Sequence, residues 1–131
     1  MIITILDMEN RSSELHGAVV GDSDRLRHLL QKAQLRPPFF CKLMGENGFC
    51  LDIGVGNVGC VQFCRTDGIP PYLTPVRIGQ ADPGYEVYVA AGTGTQVEKR
   101  FCLPYDDVIR IAVYFMENGT ICPLFQWEHV S

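Results

Sequence analysis

The chain has 131 residues, of which 47% are hydrophobic and 20% are charged, and its 15 acidic and 11 basic side chains give a net charge of −4. A chain of this length suits one domain with its own core, and its apolar content excludes an intrinsically disordered protein. The acidic excess disfavours direct binding to DNA or RNA, because proteins that bind them usually carry a basic patch.

The apolar segments are too short for targeting or membrane-spanning sequences. The opening MIITILD lacks the basic residues of a signal peptide, and no apolar run reaches the roughly 18 residues of a membrane span. We therefore expect a cytoplasmic protein that does not enter a membrane. The six cysteines fit such a compartment as free, buried thiols, since most lie in apolar runs and no C-x-x-C occurs.

The first third of the chain predicts one strand and one helix. Residues 1–6 form a strand, and residues 7–21 follow as an irregular loop. Residues 23–35 form a helix that Asp22 or Ser23 can cap, and the proline pair after it ends the helix. The helix buries apolar side chains at the spacing i, i+3, i+4, i+7. These are Leu26, Leu29, Leu30 and Ala33.

Most of the remaining segments read as strands joined by glycine-rich turns. Asn47-Gly48 marks a hairpin, and residues 92–96 (GTGTQ) read as a turn. Tyr85 and Val87 lie on one face of their strand, and Glu86 on the other. The predicted strands are 39–44, 49–55, 58–65, 85–91, 97–103 and 123–130.

A second helix over 104–119 completes the fold. Pro104 suits its first turn, the two aspartates that follow favour the positive end of the helix dipole, and Gly119 suits a left-handed C-terminal cap. The whole pattern predicts a single α+β domain over 1–131, mainly an antiparallel sheet with two helices. The expected core stripe of this helix is Val108, Ile111, Ala112 and Phe115.

Residues 54–59, GVGNVG, match the glycine pattern of dinucleotide-binding loops. Such a loop must leave a strand and open directly into a helix, whose N-terminus meets the pyrophosphate. Here the strand-like CVQFCR follows, and Pro70-Pro71 then stops any helix. The glycines therefore predict a tight reversal between two antiparallel strands, centred near Gly56-Asn57.

The loop 66–86 is the strongest candidate for a binding surface. It combines acidic and aromatic side chains with four prolines, which fix the shape of a loop before it meets a partner. An ordinary long connection is the alternative interpretation. The candidate partner-binding residues are Asp67, Tyr72, Asp82, Tyr85 and Glu86.

Sequence motifs for catalysis or metal binding are absent. No histidine lies at ligand spacing from another histidine or a cysteine, and no G-x-S-x-G occurs. We therefore expect no metal, no cofactor and no enzymatic activity. One alternative remains, a small enzyme or ligand-binding domain with a pocket near Asp52, Cys60, Cys64 and Glu86. Another is a purely structural subunit, and the oligomeric state stays open.

The C-terminal half is similar to a known family. A glycine-bounded hairpin, PPYL and the strand GYEVYV precede a helix that opens with proline and acidic residues and ends in Phe-x-x-x-Gly. A proline and a strand that carries tryptophan follow. Over roughly 37–129 this order resembles the type-1 immunity proteins of bacterial polymorphic toxin systems. The matching residues are Pro104, Asp106, Asp107, Phe115, Gly119, Pro123 and Trp127.

The resemblance implies a cytoplasmic protein that binds and sterically blocks a cognate toxin, often a deaminase. The chain lacks the H-x-E and P-C-x-x-C signatures of zinc deaminases, so it resembles the inhibitor and not the enzyme. Of the matching residues, Phe115 and Trp127 are expected in the core rather than at a contact.

Overall fold

Ten strands and two helices follow one another in the part of the chain that the computed structural model describes, residues 1–79 and 82–130. Gln80 and Ala81, in the candidate loop 66–86, and the terminal Ser131 lie outside the described residues. The helices are α1 (Ser23–Ala33) and α2 (Tyr105–Asn118). The strands are β1 (Ile3–Leu6), β2 (Val19–Val20), β3 (Phe39–Gly45), β4 (Phe49–Val55), β5 (Val58–Arg65), β6 (Tyr72–Val76), β7 (Tyr85–Ala90), β8 (Thr93–Glu98), β9 (Leu103–Pro104) and β10 (Gln126–Val130).

The strands form one sheet in the order β10-β6-β5-β4-β3-β1-β2. The β7–β8 hairpin attaches through a short parallel contact, where Val89 lies opposite Phe39, and β9 pairs with the start of β5. Apart from this β3–β7 contact, the pairings among the described strands are antiparallel. The predicted α+β class, mainly antiparallel sheet with two helices, is confirmed.

Both helices belong to the main core on one face of the sheet. Alternate residues of β3, β4 and β5 point to this face, and Leu43, Leu51 and Ile53 have no solvent exposure. The Phe115 ring of α2 meets the Phe63 ring edge-on at a centroid distance of 6.0 Å. Tyr105 of α2 donates its hydroxyl to the α1 carbonyl of Leu30 at 2.7 Å, which ties the helices together.

The opposite face of the sheet is partly covered by the β7–β8 hairpin. Tyr88 of β7 is 1% exposed. Its ring packs against the Phe40 ring of β3 in a tilted arrangement, with ring centroids 5.3 Å apart. Its hydroxyl donates to the carbonyl oxygen of Val58 at 2.7 Å. With Cys60 and Cys102 it forms a second, smaller core. The sheet is therefore buried on both faces near β5.

Both predicted helices are confirmed. The Asp22 carboxylate caps α1 by accepting from the Arg25 amide at 3.0 Å, and α2 ends at Gly119 with a φ of 74°. The predicted α2 core stripe is fully buried, Phe115 included. Trp127 is half-buried and donates its indole N–H to the Cys122 carbonyl at 2.9 Å.

The GVGNVG segment is a strand reversal, as predicted. β4 ends at Val55 and β5 begins at Val58, so only Gly56 and Asn57 connect them. The flanking glycines allow close packing on both faces of the sheet. A Cβ on Gly59 would lie 2.9 Å from Val108 of α2, and a Cβ on Gly54 would lie 3.0 Å from the Tyr88 ring.

Two predictions about the C-terminal half are wrong. Residues 92–96 are not a turn, because Thr93–Gln96 belong to β8, and the reversal is at Ala91-Gly92 instead. The predicted strand 97–103 is broken by a 3₁₀ turn at Lys99–Phe101. The segment forms a strand because it pairs with β7 along its whole length, and this pairing overrides the weak strand propensity of Gly94 and Glu98.

The candidate loop 66–86 also contains a strand, β6, that the sequence pattern did not predict. β6 pairs with β10, and Pro75 lies opposite Trp127. The proline concealed the strand, since proline cannot donate to the ladder and is normally found at strand edges. No helix in the described residues is long and apolar enough to cross a membrane.

Candidate partner-binding surface

The outward side of the β7–β8 hairpin presents apolar side chains to solvent. Tyr85 is 54% exposed and Val87 is 52% exposed, while Tyr88 on the inward side is buried. Glu98 lies opposite Tyr85 and Gln96 lies opposite Val87, and directly paired residues share a face of the ladder. We call Tyr85, Val87, Gln96 and Glu98 the hairpin surface.

The tight turn at Ala91-Gly92 holds the hairpin in register. Their φ angles are 51° and 76°, and a two-residue turn with two positive φ values matches the twist of the flanking strands. The Glu9 carboxylate accepts hydrogen bonds from both turn amides, each at 2.9 Å. The loop after β1 therefore anchors the tip of the hairpin to the body of the domain.

The outer edge of β8 is open in the structure. Among residues 1–79 and 82–130, β8 pairs only with β7, so alternate backbone N–H and C=O groups of β8 point outward. A groove of about 260 Å³ runs beside this edge. Phe40 and Cys60 lie on the sheet side of the groove, Gln96 and Glu98 on the hairpin side, and Phe101 contributes a further apolar wall.

Asp82 and Tyr85 lie together at the base of the hairpin. They line a crevice of about 290 Å³ with Glu98, Lys99 and Arg100. The Arg100 guanidinium contacts the Glu98 carboxylate at 3.4 Å. It contacts a second carboxylate, on Glu128 of β10, at 3.1 Å. Its charge is thus shared between two carboxylates, while the Asp82 side chain is exposed beside them.

Glu86 lies on the other side of the β7 ladder from Tyr85. It lines a small crevice of about 120 Å³ with Pro38, Asn57 and Val58. The structure therefore brings Asp82 and Tyr85 together and places Glu86 on the inward side of the hairpin.

Asp67 and Tyr72 lie at a separate place, and both make contacts within the chain. The Asp67 carboxylate accepts from the Ile69 amide at 3.0 Å and from the Arg65 guanidinium at 2.6 Å. The hydrogen bond from the Ile69 amide is the largest effect on the pKa of Asp67, and the Arg65 guanidinium lowers this pKa further. The pKa of Asp67 therefore lies below its usual range. Tyr72 donates its hydroxyl to the carbonyl of Gly68. Tyr72 starts β6, so the length of that strand, about 13 Å, separates it from the segment that leads to Asp82.

The alternative pocket near Asp52, Cys60 and Glu86 does not form one site in the structure. Asp52 lines a cavity beside β1 and makes an ion pair with Lys42 at 3.5 Å. Cys60 lines the groove beside β8, and Glu86 lines the crevice at Asn57. Each of the three residues therefore contributes to a different cavity.

All six cysteines are free and buried, as predicted from their apolar surroundings in the sequence. Burial raises the pKa of the Cys41 thiol to about 12, and it also raises the pKa of Cys60 and Cys102. Thiols with raised pKa values are poor nucleophiles at neutral pH. In the described residues, no group of three or more histidine, cysteine, aspartate and glutamate side chains is arranged to hold a metal ion.

Val87 belongs to the hairpin surface but was absent from the sequence-predicted residues. The strand alternation had already placed Val87 on the face of Tyr85, and this signal could have found it. The same alternation could not show which face of β7 is buried. No sequence pattern placed the groove residues Gln96 and Glu98 at a binding surface. Gln96 was assigned to the predicted turn 92–96, and Glu98 was assigned to the predicted strand 97–103.

No protein-family model matches this chain, and a search of curated proteins finds no significant match.

Proposed function

We propose that this protein is a cytoplasmic immunity protein that binds a cognate bacterial toxin, of the deaminase class, and blocks it sterically without catalysing a reaction. The observation that carries the proposal is the exposed pair Tyr85 and Val87 on the hairpin surface. Aromatic side chains that are apolar yet exposed are typical anchors of protein interfaces. The toxin class comes from the family resemblance of residues 37–129.

Preorganisation of the hairpin supports this role. The Glu9 carboxylate clamps the turn at Ala91-Gly92, and Tyr88 anchors the middle of β7 in the second core. A surface that is already ordered loses less conformational entropy on binding, and more of its contact energy then appears as affinity.

The open edge of β8 adds a second means of recognition. An extended segment of a partner can pair with an unoccupied strand edge through backbone hydrogen bonds, and a neighbouring groove can accept its alternate side chains. The groove beside β8 has apolar walls at Phe40 and Phe101 and polar groups at Gln96 and Glu98. A strand of the toxin placed here would lie beside β8, and its alternate side chains would extend the hairpin surface.

Charge favours a basic partner. The chain carries 15 acidic and 11 basic side chains, and at the base of the hairpin Asp82 adds an exposed carboxylate beside Lys99 and the ion pairs of Arg100 with Glu98 and Glu128. Toxins that act on nucleic acids need a basic surface for the phosphates. We therefore expect association to slow as salt rises, because opposite charges steer the encounter.

The test is stoichiometric binding followed by loss of toxin activity. The purified chain is mixed with the toxin domain encoded beside it, the complex is measured by size-exclusion chromatography, and deamination is assayed at increasing ratios of chain to toxin. We expect activity to fall to zero near a 1:1 ratio. Full toxin activity in an excess of the chain would overturn the proposal.

Substitutions at two exposed strand valines test whether the hairpin surface is the interface with the toxin. Val87→Arg places a like charge against a basic partner at the hairpin surface and should weaken binding at least about tenfold. Val19→Arg is the control, because Val19 is also a strand valine, is 57% exposed and lies in β2 at the far edge of the sheet. If both variants bind as the parent does, the partner contacts another surface.

A further inference from the structure

Cys50 and Cys64 lie directly opposite each other on β4 and β5. Their sulfur atoms are 3.3 Å apart, and both residues point to the face of the sheet away from the helices. Opposite residues of an antiparallel pair have Cα atoms about 4.5–5.5 Å apart. This separation lies inside the range of about 4.4–6.8 Å that a disulfide spans.

The pair therefore needs little movement to form a covalent bond. The sulfurs must approach from 3.3 Å to a bond length of about 2.05 Å, which rotation about the two Cα–Cβ bonds can provide. The backbones are already held by the ladder on both sides of the pair, with Leu51 opposite Phe63 and Phe49 opposite Arg65.

The hydrogen bond between the two thiols shifts their pKa values in opposite directions. The Lys42 ammonium and the Asp52 carboxylate form an ion pair on the same face, and the Cys64 sulfur lies 3.9 Å from the Asp52 carboxylate. The hydrogen bond between the two thiols lowers the pKa of Cys50 against the opposing effects of burial and Asp52, and Lys42 lowers it further. The same hydrogen bond, together with burial and Asp52, raises the pKa of Cys64. Cys50 is thus the thiol of the pair that ionises more readily.

Access to the pair is narrow. Cys50 has no solvent exposure and Cys64 is 7% exposed. An oxidant must therefore be small, which favours hydrogen peroxide over a bulky disulfide such as oxidised glutathione.

We propose that Cys50 and Cys64 form a redox modification site that hydrogen peroxide converts into a disulfide. In the first step the Cys50 sulfur attacks one peroxide oxygen, the O–O bond breaks, and the leaving hydroxide takes the proton released by the Cys50 thiol to become water. In the second step the Cys64 sulfur attacks the Cys50 sulfenic acid, the S–O bond breaks, and a second water leaves with the Cys64 proton. Two thiols and one peroxide thus give one disulfide and two waters.

Cys60 provides a control within the same strand. It lies on β5 on the same face as Cys64 and is 5% exposed, but the residue opposite it is Gly54, which carries no thiol. Cys60 and Cys102 form a competing pair, because they share the second core. A disulfide between these two would contradict the proposal.

The experiment treats the folded, reduced chain with hydrogen peroxide, removes the peroxide, denatures the protein and alkylates the remaining thiols. We expect the number of alkylated thiols to fall from six to four, with a mass loss of about 2 Da before alkylation, and a reductant to restore six. The tryptic peptide 43–65 should carry one alkyl group, on Cys60, and a bond between Cys50 and Cys64. Six alkylated thiols after treatment, or a bond between any other pair, would overturn the proposal.

Two substitutions test whether disulfide formation depends on the Cys50–Cys64 pair or reflects general oxidation of the thiols. Cys64→Ser should keep all five remaining thiols free of a disulfide, whereas Cys60→Ser should still lose two thiols. If Cys64→Ser fails to fold, as judged by circular dichroism, the peptide map of the parent chain decides the question by itself. Equal losses in both variants would show that oxidation does not depend on the pair.

Discussion

The Arg36 guanidinium donates to the Asp7 carboxylate at 2.5 Å and 3.4 Å, and Asp7 has no solvent exposure. Asp7 also accepts from the Ser13 hydroxyl at 2.6 Å and from the Asn10 amide at 3.0 Å. This carboxylate therefore joins the loop after β1 to the segment after α1. The same loop carries Glu9, the residue that clamps the hairpin turn.

Loss of the Asp7 charge should destabilise the fold. Asp7→Asn removes the ion pair with Arg36 and leaves a guanidinium, 28% exposed, without its partner. We expect the free energy of unfolding to fall by about 2–3 kcal/mol, below the full cost of a deeply buried unpaired charge because Arg36 can rehydrate. Urea denaturation measures the change. Glu14→Gln, which removes an exposed ion pair with Lys32, is the control and should leave the midpoint nearly unchanged.

The contribution of the Asp7 carboxylate to the free energy of unfolding should also depend on pH. Burial raises the pKa of this carboxyl, but hydrogen bonds from Arg36, Ser13 and Asn10 outweigh burial, and the net pKa lies below the ordinary value of 3.8. A depressed pKa in the folded state stabilises the protein above the unfolded pKa, and the contribution is lost as pH falls through the folded pKa.

We therefore expect the stability difference between the parent and Asp7→Asn to be constant from pH 7 to about 5 and to shrink below pH 4. Denaturation at a series of pH values measures it, and carboxylates common to both proteins cancel in the difference. A stability difference between the parent and Asp7→Asn that stays constant down to pH 3 would contradict this account.

The glycine reversal should be intolerant of a side chain where the sheet meets α2. Gly59→Ala would place a Cβ 2.7 Å from the Gly54 carbonyl and 2.9 Å from Val108. We expect a loss of about 1–3 kcal/mol, measured by thermal or urea unfolding, because the backbone must move to relieve the overlap. Gly21→Ala is the matched control, since the nearest atom to its Cβ would be Ile2 at an ordinary 3.4 Å. Equal stability of the two variants would mean that the packing at Gly59 is looser than this geometry implies.

Ala91 is a position where substitution should stabilise the protein. It holds a φ of 51°, a left-handed conformation that costs an alanine roughly 1–2 kcal/mol and that asparagine adopts more readily. Ala91→Asn, which creates the favoured Asn-Gly turn, should raise the free energy of unfolding by about 0.5–1 kcal/mol. The same change at Ala90, in β7 before the turn, should bring no gain. A midpoint that does not rise for Ala91→Asn would point to a clash between the new side chain and the Glu9 clamp.

The elements with strong local signals were predictable from the sequence. Asp22 and Gly119 mark helix ends because they satisfy backbone groups next to them in the chain. The reversal at Gly56-Asn57 followed from two short apolar segments and the absence of a helix between them. Such features depend on interactions within a few residues, and the sequence alone determines them.

Within the candidate loop, the sequence identified Asp82 and Tyr85, which the structure brings together, but it also grouped Asp67 and Tyr72 with them. The strand β6 separates the two pairs, and its pairing with β10 involves residues about 50 positions apart. No local pattern reports such a contact, since its energy comes from the partner strand.

The sequence by itself therefore determined the class of fold, both helices, the glycine reversal and the burial of the six thiols, because apolar periodicity and turn chemistry act locally. Tertiary structure alone decided which face of β7 meets solvent, that Asp7 meets Arg36 across 29 residues, and that Cys50 meets Cys64. Each of these depends on sheet register and on packing between elements distant in the chain, and a shift of one residue in register would turn every side chain to the other face.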